Sequence, residues 1–201
     1  MKLYTFALSP HCRRVVAVCR HLGLEPEAIV VDLGQGAQRD EDYRAINPNG
    51  LVPTLVDDET VLWESNAIIA YLAGRNTSPL WPDSMARYEI IKWQSWNEAH
   101  LAPPCRDLMI ENLFKPMQGH EPDEEVVARS SERVRRFGRV LDQHLDGRSF
   151  IVGAELTLAD FSLAAFLDLG ADAELPLDDF GHVRAWLARM RALPAWRDSA
   201  P

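Results

Sequence analysis

The sequence predicts a fold in two parts, a small α/β domain followed by an all-helical domain. Strand-like and helix-like patterns alternate over the first 74 residues. A stretch with Gly, Asn, Thr, Ser and Pro follows, and such a composition is typical of a linker. Beyond that stretch no segment alternates in the manner of a strand. We therefore expect an α/β domain over residues 1–74, a linker over 75–84 and a helical domain over 85–201.

The first strand and the first helix meet at a serine. Lys2 to Phe6 reads as a short apolar strand. Ser9 is a favoured helix cap, and Pro10 suits the first turn because its missing N–H costs nothing there. The helix runs to Leu22, and Gly23 supplies a left-handed stop residue. An anionic sulfur beside Ser9 would be stabilised by the hydroxyl, by unpaired amides and by the helix dipole.

The following segments complete the order β-α-β-α-β-β-α, which is that of a small α/β sandwich. They are a strand over 28–32, a short helix ending near residue 46, a turn over 47–50, strands over 51–56 and 61–63, and a helix over 67–73. Pro53 interrupts the third strand, and a proline within a strand removes a ladder donor. A cis Val52–Pro53 bond that turns the backbone outward explains this position.

Apolar spacing of 3.6 residues predicts helices throughout the second part. The predicted helical segments are 85–101, a segment whose face includes residues 127, 134, 137 and 141, the apolar core segment 161–169, and a last helix before residue 194. We expect Pro103–Pro104 to break or kink the first of these. Thr157 to Asp160 has the spacing of a capping box, with Asp in place of the usual Glu.

Composition restricts the possible partners. The chain has 201 residues and a net charge of -9, so its overall field repels a phosphate backbone, and we expect no nucleic-acid partner. No apolar run approaches the ~20 residues of a membrane span, and the start lacks a signal-peptide core. The three cysteines form no CxxC pair, and the histidines lack metal-ligand spacing. We expect a cytoplasmic protein with no metal and no membrane partner.

Two further segments suit a small peptide ligand. Backbone groups of Val52 could pair with an extended ligand in the manner of an added strand. At the mouth of the next helix, Ser65 and backbone amides could hold a carboxylate, and Glu64 could meet an ammonium group. Together with Ser9, these segments indicate a site for a zwitterionic peptide that carries a sulfur.

The motifs resemble those of the soluble glutathione transferases over almost the whole chain. They are Ser9-Pro10-His11-Cys12-Arg13-Arg14-Val15, Asn47-Pro48-Asn49-Gly50-Leu51-Val52-Pro53, Glu64-Ser65 with residues 68–72, and the capping box at 157–160. The resemblance is to serine-type, theta-like, phi-like or zeta-like members of bacterial type. It implies a thioredoxin-like N-terminal domain, a helical C-terminal domain and a cytoplasmic homodimer with a detoxifying transferase activity.

The resemblance also implies roles for particular residues. Ser9 corresponds to the catalytic serine, and glutathione is the co-substrate. The remaining glutathione-binding residues implied are Val52 and Pro53 for the cysteinyl backbone, Glu64 and Ser65 for the γ-glutamyl end, and Gln38 and Arg39 for the glycyl carboxylate. A small hydrophobic electrophile is expected between the domains, with candidate contacts His11, Trp96, His100, Pro104 and Leu108.

Two departures from the family pattern leave alternatives open. Leu51 stands where relatives often carry Lys or Gln, which removes one polar contact to glutathione. Cys12 takes the place of the second cysteine of a CxxC motif whose first position is Ser9, so disulfide exchange is disfavoured and Cys12 is expected to be a buried packing residue. The alternatives are a glutathione-dependent isomerase, similar to the maleylacetoacetate isomerases, and a non-catalytic binding protein with the same fold.

Overall fold

The computed structural model describes residues 1–170 and 172–200. These residues form two compact units. Unit 1 contains Met1–Pro82 together with the C-terminal residues from Leu193 onward, and unit 2 contains Asp83–Ala192. The C-terminal residues therefore group with the α/β part, whereas the predicted division counts them with the helical domain.

A mixed sheet forms the centre of unit 1. Its strands are β1 (Lys2–Thr5), β2 (Glu27–Val30), β3 (Thr54–Asp57) and β4 (Thr60–Trp63), in the order β2-β1-β3-β4. β1 pairs with β2 in parallel and with β3 antiparallel, and Leu3 stands opposite both Ala28 and Leu55. β3 begins at Thr54, later than the predicted residue 51, because the cis Val52–Pro53 bond precedes it.

Helices cover the sheet of unit 1. They are α1 (Pro10–His21), α2 (Glu41–Ile46) and α3 (Ser65–Arg75), and a single 3₁₀ turn spans Ala37–Arg39. α1 and α3 pack on each other. Their buried side chains, among them Val15, Ile68 and Leu72, form a core with Leu3 and Leu55. The apolar faces of these elements account for the sandwich.

Unit 2 is helical throughout its regular elements. Its helices are α4 (Ala86–Trp96), α5 (Ala102–Met109), α6 (Lys115–Met117), α7 (Glu124–Leu145), α8 (Leu158–Leu167) and α9 (Gly181–Ala192). Every residue of α8 is buried, so α8 is the core helix that its apolar sequence predicts. α10 (Pro194–Arg197) follows and packs on α1 within unit 1. The sheet with its helices, followed by these helices, confirms the predicted fold class.

The chain stays helical through Pro103 and Pro104. A π-helical turn over Asn97–Leu101 leads into α5, and the Ala102 amide donates to the carbonyl of Asn97. The prolines therefore stand in the first turn of α5, where their missing N–H groups cost little. The expected break or kink is thus a change of helix type, because the wider turn accommodates the prolines.

A buried carboxylate closes the start of α8. The predicted capping box is present, and Asp160 Oδ2 accepts from the amide of Thr157 at 2.9 Å and from its hydroxyl at 3.0 Å. Oδ1 accepts from the Ile151 amide and from Trp186 Nε1, both at 2.9 Å. Burial raises the pKa of Asp160, against the effect of these donors. Asp160 therefore ties α8 to α9 and to the loop before α8.

Two other contacts fix α7. Glu111 Oε2 accepts from the Asp123 amide at 2.7 Å and from Lys115 Nζ at 2.5 Å, which joins the preceding helical turn to the start of α7. Gly138 lies so close to Phe180 that a Cβ would stand 2.6 Å from the ring.

Within residues 1–170 and 172–200, none of the helices combines the length and apolar character needed to cross a lipid bilayer.

Candidate active site

Ser9 is held by a tight turn at the start of α1. Its amide donates to the Phe6 carbonyl at 3.0 Å, and its backbone is extended, with φ -88° and ψ 119°. Its Oγ accepts from the Cys12 amide at 3.3 Å, which makes Ser9 the N-cap of α1. That bond uses a lone pair of the oxygen, so the hydroxyl can still donate its proton, either to the buried Cys12 sulfur or to a ligand. Ser9 is half-buried, so part of the residue remains exposed to solvent.

Cys12, whose amide the Ser9 side chain caps, is buried. Its Sγ accepts from the Phe6 amide at 3.4 Å. Burial raises the pKa of the Cys12 thiol, although hydrogen bonds from Ser9, Phe6 and Thr5 oppose the shift. A protonated and buried thiol is a poor nucleophile. Cys12 is therefore a packing residue, as the sequence suggests.

A closed hydrogen-bond network fixes the loop before the cis Val52–Pro53 bond. Tyr43 Oη donates to the Leu51 carbonyl at 2.6 Å, and Asn47 Nδ2 donates to the same carbonyl at 2.8 Å. Asn47 Nδ2 also donates to Thr54 Oγ1 at 2.9 Å, and Thr54 Oγ1 lies 3.0 Å from Tyr43 Oη. The Leu51–Val52 peptide is thereby held in one orientation, and Val52 is half-buried.

Sequence reasoning missed Tyr43 and Asn47 as site residues. Asn47 belongs to a recognisable turn motif, Asn47–Gly50, but the motif alone does not show which carbonyl its side chain reaches. Tyr43 lies on α2, eight residues before the carbonyl to which it donates. A tyrosine four residues before the turn asparagine is the signal that could have indicated a hydroxyl donor here.

The N-terminus of α3 has unusual backbone geometry and no side-chain cap. Glu64, the residue before the helix, has φ 70° and ψ 109°, and its side chain is exposed. Ser65 is buried, and its Oγ lies 3.2 Å from His11 Nδ1. The fully buried Arg14 donates from Nη1 to Asn66 Oδ1 at 2.9 Å. The amides of the first turn and a nearby guanidinium therefore create a positive environment.

A small cleft in unit 1 brings several predicted residues together. Its volume is about 70 Å³, and its lining residues are His11, Asn47, Asn49, Leu51, Val52, Pro53, Trp63, Glu64 and Ser65. A cleft of this volume holds a few water molecules, so a polar group such as a carboxylate or an ammonium fits into it. A larger cavity of about 730 Å³ lies between α1, β2 and the C-terminal segment, and none of the predicted site residues lines it.

Gln38 and Arg39 lie in the 3₁₀ turn and do not line the small cleft. The turn nevertheless approaches the loop, because a Cβ on Gly50 would stand 2.8 Å from the Gln38 carbonyl oxygen. Gly50 has φ 60°, so glycine is required there on both grounds. The buried Gln38 Oε1 has no hydrogen-bond partner among the described residues, whereas Arg39 is exposed.

The other predicted contacts lie in unit 2. Trp96 is half-buried and His100 is exposed, and their rings lie near Phe137, which stacks on His100 at 5.1 Å between centroids. Pro104 is buried in α5, and Leu108 has no exposed surface. Leu108 thus packs within the helices and presents no surface to a ligand in this conformation. Trp96 and His100 are the more accessible candidates.

Two family models match the chain. One describes a glutathione S-transferase N-terminal domain and matches residues 8–75, and the other describes a glutathione S-transferase C-terminal domain and matches residues 105–194. The first match includes the residues of the small cleft. The second covers most of unit 2.

Individual proteins are similar over nearly the whole length. Glutathione S-transferase 3 of Zea mays is 34% identical over 208 residues, which cover 98% of this chain and 91% of the relative. The solved structure of glutathione S-transferase III in apo form has a TM-score of 0.88 at 34% identity, covering 98% of this chain and 94% of that one. Glutathione S-transferase-I bound with lactoylglutathione has a TM-score of 0.90 at 25% identity, with 99% and 97% covered.

Proposed function

The chain belongs to the glutathione S-transferase family and is a glutathione transferase, and we propose that Ser9 activates the glutathione thiol for attack on a small hydrophobic electrophile. The observation that carries the proposal is the position of Ser9 as the N-cap of α1, with a hydroxyl proton that its capping bond does not use. His11, two residues further along α1, lines the cleft that also contains Val52 and Ser65.

The required chemistry is a lowered thiol pKa. A free thiol has a pKa of about 8.5, so only a few per cent is ionised at neutral pH. Lowering that pKa by two units stabilises the thiolate by about 2.7 kcal/mol and ionises most of it. A hydrogen bond from Ser9 Oγ to the sulfur supplies part of this stabilisation, and the positive end of α1 supplies more.

The rest of glutathione fits the remaining residues. The half-buried Val52 backbone would pair with the cysteinyl unit, and the neighbouring Pro53 would keep this backbone turned toward the ligand. The γ-glutamyl carboxylate would bind at the uncapped start of α3 beside Ser65, and the exposed Glu64 would meet its ammonium group. Gln38 and Arg39 would reach the glycyl carboxylate.

The electrophile would contact the aromatic side chains of unit 2. Trp96 and His100 offer accessible ring surface, and apolar rings suit a hydrophobic substrate. We further propose a cytoplasmic homodimer with a detoxifying role. Exposed apolar residues at the start of α4 favour an interface, since Met85 is 76% exposed, Tyr88 64% and Ile91 43%.

The test is an ultraviolet difference titration of glutathione, in which bound thiolate absorbs and bound thiol does not. The native protein should give the thiolate signal, and Ser9→Ala should lose most of it while turnover falls about a hundredfold. Ser9→Thr keeps a hydroxyl and the capping function, and should retain a measurable signal.

An intact turnover in Ser9→Ala would reduce Ser9 to a helix cap. Binding of glutathione without any thiolate signal in the native protein would instead favour the non-catalytic alternative. A direct isomerase assay tests the remaining alternative, a glutathione-dependent isomerase.

A further inference from the structure

His11 contacts a residue of the proposed glutathione site. It is the second residue of α1, and its Nδ1 lies 3.2 Å from Oγ of Ser65, the first residue of α3. His11 also lines the small cleft together with Val52 and Glu64. Its ring therefore bridges the N-termini of the two helices that hold the sulfur and the glutamyl end. The sequence analysis predicts His11 as a contact of the electrophile, and the contact with Ser65 suggests a second role for the same residue.

The direction of this hydrogen bond decides what Ser65 can do. A serine hydroxyl has one proton. If Ser65 donated that proton to His11, its oxygen would offer only lone pairs to the cleft. If His11 Nδ1–H donates instead, the Ser65 proton is free to bind a carboxylate. Which tautomer the ring adopts is set by the groups around it.

The surroundings favour donation by His11. The start of α3 has no side-chain cap and carries the positive end of the helix dipole, and Arg14 donates to the neighbouring Asn66 at 2.9 Å. This positive environment attracts an anion. A bound carboxylate would accept the Ser65 proton, and the Ser65 oxygen would then accept from His11. Because Ser65 is only 4% exposed, water offers little alternative partnership for its hydroxyl.

We propose that His11 is a positioning residue of the glutathione site, which directs the Ser65 hydroxyl toward the γ-glutamyl α-carboxylate. This inference rests on the proposed function and adds a residue to it. His11 acts on the ligand through Ser65, and its effect is confined to the glutamyl end of glutathione. In this role it does not act on the electrophile.

A matched pair of substitutions isolates the donor. Nδ1 of histidine is bonded to Cγ, and so is Nδ2 of asparagine, so His11→Asn keeps a donor at the same distance from the backbone. His11→Gln places its donor one bond further out, near the position of Nε2. Asparagine should therefore rescue the function and glutamine should not.

The ligand is S-methylglutathione, which has no ionisable thiol and so excludes the chemistry at Ser9. Two analogues carry a carboxamide, one in place of the glutamyl α-carboxylate and the other in place of the glycyl carboxylate. Calorimetry measures Kd for each ligand with the native protein, His11→Asn and His11→Gln. We expect His11→Gln to weaken S-methylglutathione binding about fivefold, and His11→Asn to bind within about twofold of native.

The pattern over the three ligands separates the glutamyl end from the rest of glutathione. The effect of His11→Gln should persist with the glycyl amide and vanish with the glutamyl amide, since only the latter lacks the carboxylate that Ser65 meets. Equal losses with all three ligands, or equal losses in both variants, would overturn the proposal. So would an effect confined to the KM of the electrophile. A native protein that binds none of the ligands would refute the proposed function itself, which is a different result.

Discussion

Removal of the Tyr43 hydroxyl tests whether the loop before Val52 is held by its hydrogen-bond network. In Tyr43→Phe the ring remains, and the Leu51 carbonyl keeps the donor from Asn47 at 2.8 Å. Thr54 is fully buried, and its hydroxyl loses the acceptor that lies 3.0 Å away. The Leu51 carbonyl also loses its shorter contact, at 2.6 Å.

The magnitude follows from the group left without a partner. An unsatisfied buried donor costs about 1–3 kcal/mol, so Tyr43→Phe should lower the free energy of unfolding by about 2 kcal/mol. The Leu51–Val52 peptide would be less firmly oriented, and the KM for glutathione should rise about threefold. The kcat should change little because the network makes no hydrogen bond to Ser9. Denaturant unfolding and steady-state kinetics measure the two effects.

A double-mutant cycle with Thr54→Val makes the reasoning refutable. The valine removes the donor that Tyr43→Phe leaves unsatisfied, so the double variant should cost about 1 kcal/mol less than the sum of the single variants. Tyr4→Phe is the matched control, since its ring packs 5.6 Å from that of Tyr43 but its hydroxyl takes no part in the network. Additive costs, or an equal loss in Tyr4→Phe, would show that the network does not hold the loop.

Three further predictions concern unit 2, and two of them use a second substitution as a control. Asp160→Ala leaves four buried donors without their acceptor and should lower the free energy of unfolding by roughly 4 kcal/mol. The control Asp123→Ala removes the exposed cap of α7 and should lower it by about 1 kcal/mol. Similar losses for the two variants in denaturant unfolding would contradict the role of burial. Gly138→Ala places a Cβ 2.6 Å from a buried ring and should destabilise by about 2 kcal/mol, whereas Gly74→Ala, with its nearest contact at 3.7 Å, should be neutral or stabilising in the same assay. The pKa of Glu111 is lowered mainly by the hydrogen bond from the Asp123 amide and also by Lys115. The stability that the Glu111 carboxylate contributes is therefore present above the unfolded pKa of about 4.3 and is lost as the pH falls through the folded pKa. Glu111→Gln should be less stable than the native protein at neutral pH and approach native stability in acid, and a constant difference across the pH range would exclude this linkage.

Local signals predicted much of the backbone geometry around the candidate site and at the start of α8. The cap at Ser9 follows from Ser-Pro before an apolar helical face, and the structure shows the capping bond at 3.3 Å. The cis Val52–Pro53 bond follows from a proline where a strand needs a ladder donor. The capping box at 157–160 follows from the spacing of its residues. In each case neighbours in sequence determine the geometry.

Contacts between distant segments could not be predicted in the same way. The partner of the Tyr43 hydroxyl depends on how α2 packs beside β3, and no local pattern specifies that packing. The contact of the His11 ring could not be predicted either, because helix periodicity gives the angular position of His11 on α1 but not the element that it faces. The grouping of residues from 193 onward with unit 1 likewise depends on packing, through α10 on α1.

The residues of the proposed site differ in the kinetic parameter that each should control. In the proposed function, Ser9 would meet the sulfur, whose charge develops during activation, so its removal should lower kcat. In the same proposal, the Tyr43 network and His11 would act on parts of glutathione that do not react, so their loss should weaken binding in the ground state and the transition state alike and raise KM with kcat nearly unchanged. A variant of the loop network that lowered kcat as strongly as Ser9→Ala would mean that the Val52 backbone also places the sulfur, and that orientation and ionisation of the thiol are a single event in this protein.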